Sequence, residues 1–195
     1  MKLFVRKITS PIGDLSLVFD AQQRVRALEF NTYDDRLNRL LQEHYGALEL
    51  AESSDSIAAE AALARYFSGD LAAIGDVPVA TSGSELQRQV WTALREIPAG
   101  TVMTYGELAS RLGMSDRRAA LDVGAAIAAN PIAIIVPCHR VVGKGGEMKG
   151  FAWGINRKRW LLAHEKAELR GPVRQSELFA VDDEAGSPRT IGRAS

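Results

Sequence analysis

The sequence predicts an α+β protein: a small antiparallel sheet with helices, then a mainly helical half that carries the chain's one cysteine. Three observations predict it. The first thirty residues alternate apolar and polar side chains in three runs divided by turn residues. Two helix starts, at Ser84 and Thr104, have a glutamine or glutamate three positions on, the pattern of a capping box. The apolar run "IAIIV" (132–136) leads into Cys138, the single cysteine of 195 residues.

The elements follow in order. "KLFVRKI" (2–8), "DLSLVFD" (14–20) and "RVRALEF" (24–30) read as a meander of three strands, separated by the turns "SPIGD" and "DAQQR". Thr32 opens a helix over "YDDRLNRLLQEHYG", with Leu37, Leu40 and Leu41 on one face. A second helix spans "SIAAEAALARYFSG" and stops at Gly69. The loop "DLAAIGDVPVATSG" holds the expected domain boundary, near residue 80. Beyond it, Leu86, Val90, Leu94 and Ile97 recur at helical spacing in "ELQRQVWTALREI", which ends at "PAG". "YGELASRLG", the turn "GMSD" and "RRAALDVGAAIAAN" suggest a helix-turn-helix. Pro131 breaks the second of these helices, and "IAIIV" is expected as a buried strand. "VVGKGGEMKGF" carries the glycines of a turn or hairpin, and "INRKRWLLAHEKAEL" is a final amphipathic helix. From about 170 the periodicity is lost, as in a flexible tail.

Composition bounds the function. One cysteine excludes an intramolecular disulfide and any multi-cysteine zinc site. No apolar run approaches the ~20 residues of a membrane span, and the N-terminus lacks a signal-peptide core, so the cytoplasm is the expected compartment. The formal net charge is zero, but residues 105–159 carry nine basic and four acidic side chains. A modestly basic segment in a neutral chain suits contact with a few phosphates.

A lone buried cysteine is usually inert. Here Pro137 fixes the backbone entering Cys138, and the polar residues His139 and Arg140 directly follow a buried run. A thiol needs help to become the nucleophilic thiolate, and His139 is a base of suitable pKa. Side chains of adjacent residues point apart, so His139 reaches Cys138 only on a bent backbone or through a water. A third group must orient the histidine, and the final helix offers Glu165 and His164.

At this point a resemblance is plain. "NPIAIIVPCHRVVGKGGEMKGFAWGINRKRWLLAHE" resembles the O6-alkylguanine-DNA alkyltransferases, the methylated-DNA–protein-cysteine methyltransferases, in their bacterial form. "SPIGDLSL", "LARYFSGDL" and "SELQRQVWTALREIPAGTVMTYGELASRLG" extend it over roughly residues 3–166. The resemblance implies a ribonuclease-H-like structural domain (1–80), then an alkyltransferase and DNA-binding domain (81–168) with a winged-helix-like helix-turn-helix, and a tail (169–195). It implies DNA repair without metal or cofactor, by a monomer acting on double-stranded DNA from the minor groove with the damaged base flipped out. Cys138 is then the alkyl acceptor for O6-alkylguanine, with O4-alkylthymine a further candidate, and each molecule acts once. His139 and Glu165 deprotonate the thiol through a water, Asn130 braces the network, and Tyr105 assists the leaving guanine. Val141, Phe151, Ala152 and Trp153 fall in the guanine pocket. Thr104, Arg117, Arg118, Leu121 and Arg140 fall on the DNA side.

Three positions depart from the pattern. Leu121 stands where the family usually places the arginine that replaces the flipped base. It offers an apolar wedge instead, with Arg118 one helical turn earlier as the other candidate for that task. Phe151 replaces a usual tyrosine, and Trp153 stands where many members have glycine, which would narrow the pocket against large adducts. The missing arginine motivates a rival reading, a non-catalytic lesion sensor or regulator on the same scaffold. A thiol enzyme acting on something other than DNA is a third.

Overall fold

The computed structural model describes residues 1–148 and 150–169. The expected tail therefore lies outside the described residues, Leu169 apart.

Strands β1 (Lys2–Ile8), β2 (Leu15–Phe19) and β3 (Val25–Phe30) form the expected antiparallel meander, with Phe4 opposite Phe19 and Leu17 opposite Leu28. A 3-10 turn (Asn31–Tyr33) leads into α1 (Asp34–Tyr45). The chain then returns as β4 (Glu49–Glu52), parallel to β1, giving the order β3-β2-β1-β4. The sequence reading missed β4, because "ELAE" shows neither alternation nor β-branched residues.

Side-chain alternation assigns the two sheet faces. Leu15, Leu17 and Phe19 join the main core, whereas Leu3, Val18 and Ala27 pack with Leu37 and Leu41 of α1. Both faces of β2 are thus covered, and all five of its residues are buried.

Helix α2 (Ala58–Phe67) buries Ala59, Ala62, Leu63 and Tyr66. Helices α3 (Glu85–Arg95) and α4 (Tyr105–Arg111) begin with reciprocal capping boxes at Ser84/Gln87 and Thr104/Glu107, as expected. Helix α5 (Ala119–Ala128) packs against both α3 and α4. The short strands β5 (Met103–Thr104) and β6 (Val141–Val142) pair in parallel, so the glycines after β6 make a turn and not a hairpin. Helix α6 (Ile155–His164) stops earlier than expected, with Glu165 as its C-cap and Lys166 at φ 53°.

One expectation is corrected. "IAIIV" is not a strand. Ile132 makes an isolated bridge to Leu28 of β3, and the chain then turns tightly, with Ile135 N–H on the Ala133 carbonyl and Cys138 N–H on the Val136 carbonyl. Ile134 sits at φ 67°, a strained value for a β-branched residue. A short apolar run signals burial, and periodicity alone cannot tell a strand from a buried turn.

A single core cluster runs from Leu15 to Leu161 and draws on both sides of residue 80. Near the expected boundary, Pro78 and Ala80 are hydrogen-bonded to Val25 at the edge of β3. Among the described residues, no helix is long and apolar enough to cross a membrane.

Candidate active site

Cys138 starts a single 3-10 turn (Cys138–Arg140) reached through Pro137. Its side chain is 3 % exposed and faces a cleft of about 490 Å³. The cleft is lined by Tyr105 of α4, by Ala120, Leu121, Gly124, Ile127 and Ala128 of α5, and by Gly150, Phe151 and Ala152. Almost all of that lining is apolar or backbone, which suits a flat aromatic ligand.

Asn130 braces the thiol. Its Nδ2 donates to Cys138 Sγ at 3.3 Å and to the Val136 carbonyl at 2.9 Å, while its Oδ1 accepts from Ile132 N–H at 2.9 Å. Asn130, the residue before the helix break, thereby ties the end of α5 to the turn that presents the thiol. Burial pushes the thiol up to about 11, against the opposing pull of Asn130, Lys158 and Arg36. At neutral pH the group is therefore a protonated thiol that must hand its proton to a base.

His139, the next residue, has the features of such a base. It is fully buried, and its Nε2 lies 2.9 Å from Glu165 Oε1. Arg140 closes on the same carboxylate, Nε to Oε2 at 2.9 Å and Nη2 to Oε1 at 2.7 Å. Burial alone would raise the Glu165 carboxyl, but His139 and Arg140 more than offset it and hold the group ionised, well below the usual range. An ionised carboxylate only accepts, so His139 Nε2 carries the hydrogen and Nδ1 is left as the basic nitrogen. Nδ1 is buried and has no partner among protein atoms. Burial lowers the His139 pKa despite Glu165, which keeps the ring neutral and ready to accept a proton.

Of the two candidates offered for orienting the histidine, Glu165 is the one bonded to it. His164 points elsewhere, with Nε2 on the Tyr66 carbonyl at 2.8 Å.

Several expected site residues stand apart from the cleft. Arg140 was expected on the DNA side. It is instead 5 % exposed, with its guanidinium committed to Glu165 and to the Ile97 carbonyl at 2.6 Å, so it is not presented to phosphate. Trp153 was expected to narrow the pocket. It lies fully buried behind Phe151, with ring centroids 5.0 Å apart, and does not line the cleft. Val141 is also buried behind it, its N–H on the Cys138 carbonyl and its carbonyl taken by Lys158 Nζ at 2.6 Å.

The remaining positions face outward or line the opening. Leu121 is 71 % exposed at the cleft mouth. Arg117 and Arg118 are exposed just before α5, and Thr104 caps α4 through the Glu107 N–H at 3.1 Å. Tyr105 is half-buried, and burial beside Cys138 raises its pKa.

Two members of the site escaped the sequence reading. Lys158 is buried in α6, and burial pushes it down to about 8 while the nearby thiol acts the other way. Its spacing of three and four from Leu161 and Leu162 marks an inward face and could have flagged it. Tyr66, on the second helix, donates its hydroxyl to Glu165 Oε1 at 2.8 Å. No local pattern could reveal a partner 99 residues away.

The chain is similar to known proteins over most of its length. Residues 85–167 match the family model described as 6-O-methylguanine DNA methyltransferase, DNA binding domain. The chain is 47% identical over 167 residues to the methylated-DNA–protein-cysteine methyltransferase of Salmonella typhimurium, covering 85% of this chain and 96% of that protein. A Mycobacterium bovis protein of the same name is 41% identical, over 83% of this chain and 92% of its own length. The crystal structure of Mycobacterium tuberculosis O6-methylguanine methyltransferase aligns with a TM-score of 0.70 at 36% identity, over 90% of this chain and 98% of that one. A structure of the Mycobacterium tuberculosis OGT in complex with DNA aligns with a TM-score of 0.65 at 34% identity, over 92% and 99% of the two chains.

Proposed function

The chain belongs to the 6-O-methylguanine DNA methyltransferase family, and from that membership we propose that Cys138 is the atom-by-atom destination of the alkyl group. The protein repairs DNA by moving a methyl group from the damaged base to its own cysteine. The observation that carries the assignment is a count: a protein-cysteine methyltransferase with one cysteine has one possible acceptor. That cysteine also lines the apolar cleft and touches Asn130.

The chemistry follows from the site. The Cys138 proton passes, through a water, to His139 Nδ1, whose orientation is fixed by Glu165 at Nε2. The sulfur forms a bond to the alkyl carbon as the carbon–O6 bond breaks. The electron pair leaves with O6, and the guanine takes a proton delivered from the side of Tyr105, which lines the same cleft. The thioether cannot be displaced again, so each molecule reacts once.

The damaged base reaches Cys138 only outside the base stack, so the nucleotide is flipped into the cleft at a cost of a few kcal/mol. Helix α5 is the element that lies in the minor groove, since its small cleft-facing residues Ala120, Gly124 and Ala128 permit close approach. Leu121 then serves as the apolar wedge that takes the space vacated by the base, with Arg117 and Arg118 on nearby phosphates. Its 71 % exposure supports this, because a large apolar side chain held out in water suits a partner that buries it. Phe151 and Ala152 contact the flipped base. The protein acts as a monomer in the cytoplasm. The finer fold reading is a ribonuclease-H-like first domain (1–80) and a winged-helix-like second domain (81–168).

The non-catalytic rival loses its footing, since the thiol is kept and braced by Asn130, and the adjacent histidine is bonded to its carboxylate. With a duplex carrying one methyl-labelled O6-methylguanine, the protein retains one label per molecule and Cys138→Ser retains none. Label retained by Cys138→Ser would overturn the assignment.

A further inference from the structure

The carboxylate at the heart of the site is gripped from both halves of the chain. Glu165 Oε1 receives His139 Nε2 at 2.9 Å, Arg140 Nη2 at 2.7 Å and the Tyr66 hydroxyl at 2.8 Å. Tyr66 comes from the last turn of α2 and is fully buried. Its backbone carbonyl is held by His164 Nε2 at 2.8 Å, and the His164 ring lies edge-on to its own ring at 5.1 Å. The neighbours His164 and Glu165 thus fix both ends of one tyrosine.

A tyrosine that merely filled the core would need only some acceptor for its hydroxyl. This one uses the oxygen that orients the catalytic histidine. We propose that Tyr66 is a positioning residue for alkyl transfer: it fixes Glu165 Oε1 and, by sharing that oxygen with His139, sets how readily the imidazole takes the thiol's proton. The proposal rests on the reading of Cys138 and His139 as the reacting pair.

The direction of the effect follows from the groups around the ring. Glu165 favours the imidazolium, while Arg140 and Lys158 disfavour it. Cys138 adjoins the ring in the same turn, and Tyr66 stands behind Glu165 from α2. The Tyr66 hydroxyl withdraws part of the negative charge that Glu165 offers His139. Without that hydroxyl the imidazolium gains, so His139 titrates at higher pH. A protonated His139 cannot accept from the thiol, and the acid limb of the rate profile moves up with it.

The test is Tyr66→Phe, which keeps the ring and deletes the donor. Two quantities are measured: the pH profile of single-turnover methyl transfer from duplex DNA, and the titration of the His139 ring by nitrogen NMR, tractable with three histidines in the chain. Both shift upward together by about one pH unit, while affinity for the duplex and transfer at the alkaline end stay within about twofold. Replacing Tyr66 by 3-fluorotyrosine, a stronger donor of nearly the same shape, shifts both downward. Phe67→Leu perturbs adjacent packing without touching Glu165, lowers the melting temperature and leaves both in place. An unmoved His139 titration in folded Tyr66→Phe protein overturns the proposal, as does an equal shift in Phe67→Leu. Absence of methyl uptake by the unaltered protein would instead contradict the alkyl-transfer reading, and the imidazole titration would still decide the role of Tyr66.

Discussion

Cys138, the proposed nucleophile, is kept in its protonated form. Its side chain is 3 % exposed and burial holds the thiol at about 11, so little thiolate exists at neutral pH. In the proposed mechanism the reactive state is made only when His139 takes the proton, which protects the thiol between encounters with damage. In the proposed mechanism Leu121, exposed at the cleft mouth, governs whether such an encounter succeeds. If it is a workable but weak wedge, Leu121→Arg speeds methyl transfer from duplex DNA and leaves the reaction with free O6-benzylguanine unchanged, because the free base needs no extraction. Equal acceleration of both in single-turnover assays would show that Leu121 acts on the cleft and not on base flipping. At this scale the sequence was most legible where residues are adjacent or match a family motif: Cys138, His139, Asn130, Glu165 and Tyr105 all meet at or beside the cleft. It was least legible for Tyr66 and Arg140. A tyrosine in a helical stripe looks like core, and an arginine beside a reactive cysteine looks like a DNA contact. Their true partner, Glu165, lies 99 and 25 residues away.

Two walls shape the cleft, and α5 is the one that meets DNA in the proposed mechanism. Gly124 sits in the middle of that helix, where glycine costs ~1 kcal/mol relative to alanine. A Cβ there would lie 3.8 Å from the Tyr105 ring, an ordinary contact. Gly124→Ala is therefore expected to raise stability by ~0.5–1 kcal/mol in urea unfolding while slowing methyl transfer, since the new methyl takes room beside Tyr105 that the base requires. Loss of stability would show that α4 and α5 are packed more tightly than this geometry implies. Elements with a local chemical signature were readable in advance. The capping boxes of α3 and α4 and the alternation of β1 to β3 each need only a few neighbouring residues. Strand β4 and the "IAIIV" turn were not, because each is defined by its partner. β4 exists through its pairing with β1, and Ile132 through one bridge to Leu28.

The molecule as a whole is knitted across residue 80. Arg36 of α1 pairs with the buried Glu29 of β3 and donates to the Ala128 and Asn130 carbonyls at 3.0 Å each, at the end of α5. Its guanidinium also lies 4.8 Å from the Trp153 ring centroid, behind the other wall of the cleft. Tyr66 makes a second such link, to Glu165. With one core cluster shared by both halves, the chain is expected to unfold in a single transition, coincident by far-ultraviolet circular dichroism and tryptophan fluorescence. Two separated transitions would mean that the halves are energetically independent despite these links. The most direct test of the central claim is the mass of the proteolytic peptide bearing Cys138, after the protein has been incubated with a duplex containing O6-methylguanine. The account predicts one methyl group on Cys138 in each reacted molecule and unmodified guanine left in the DNA. Folded protein that binds the duplex and leaves Cys138 unmethylated would contradict it.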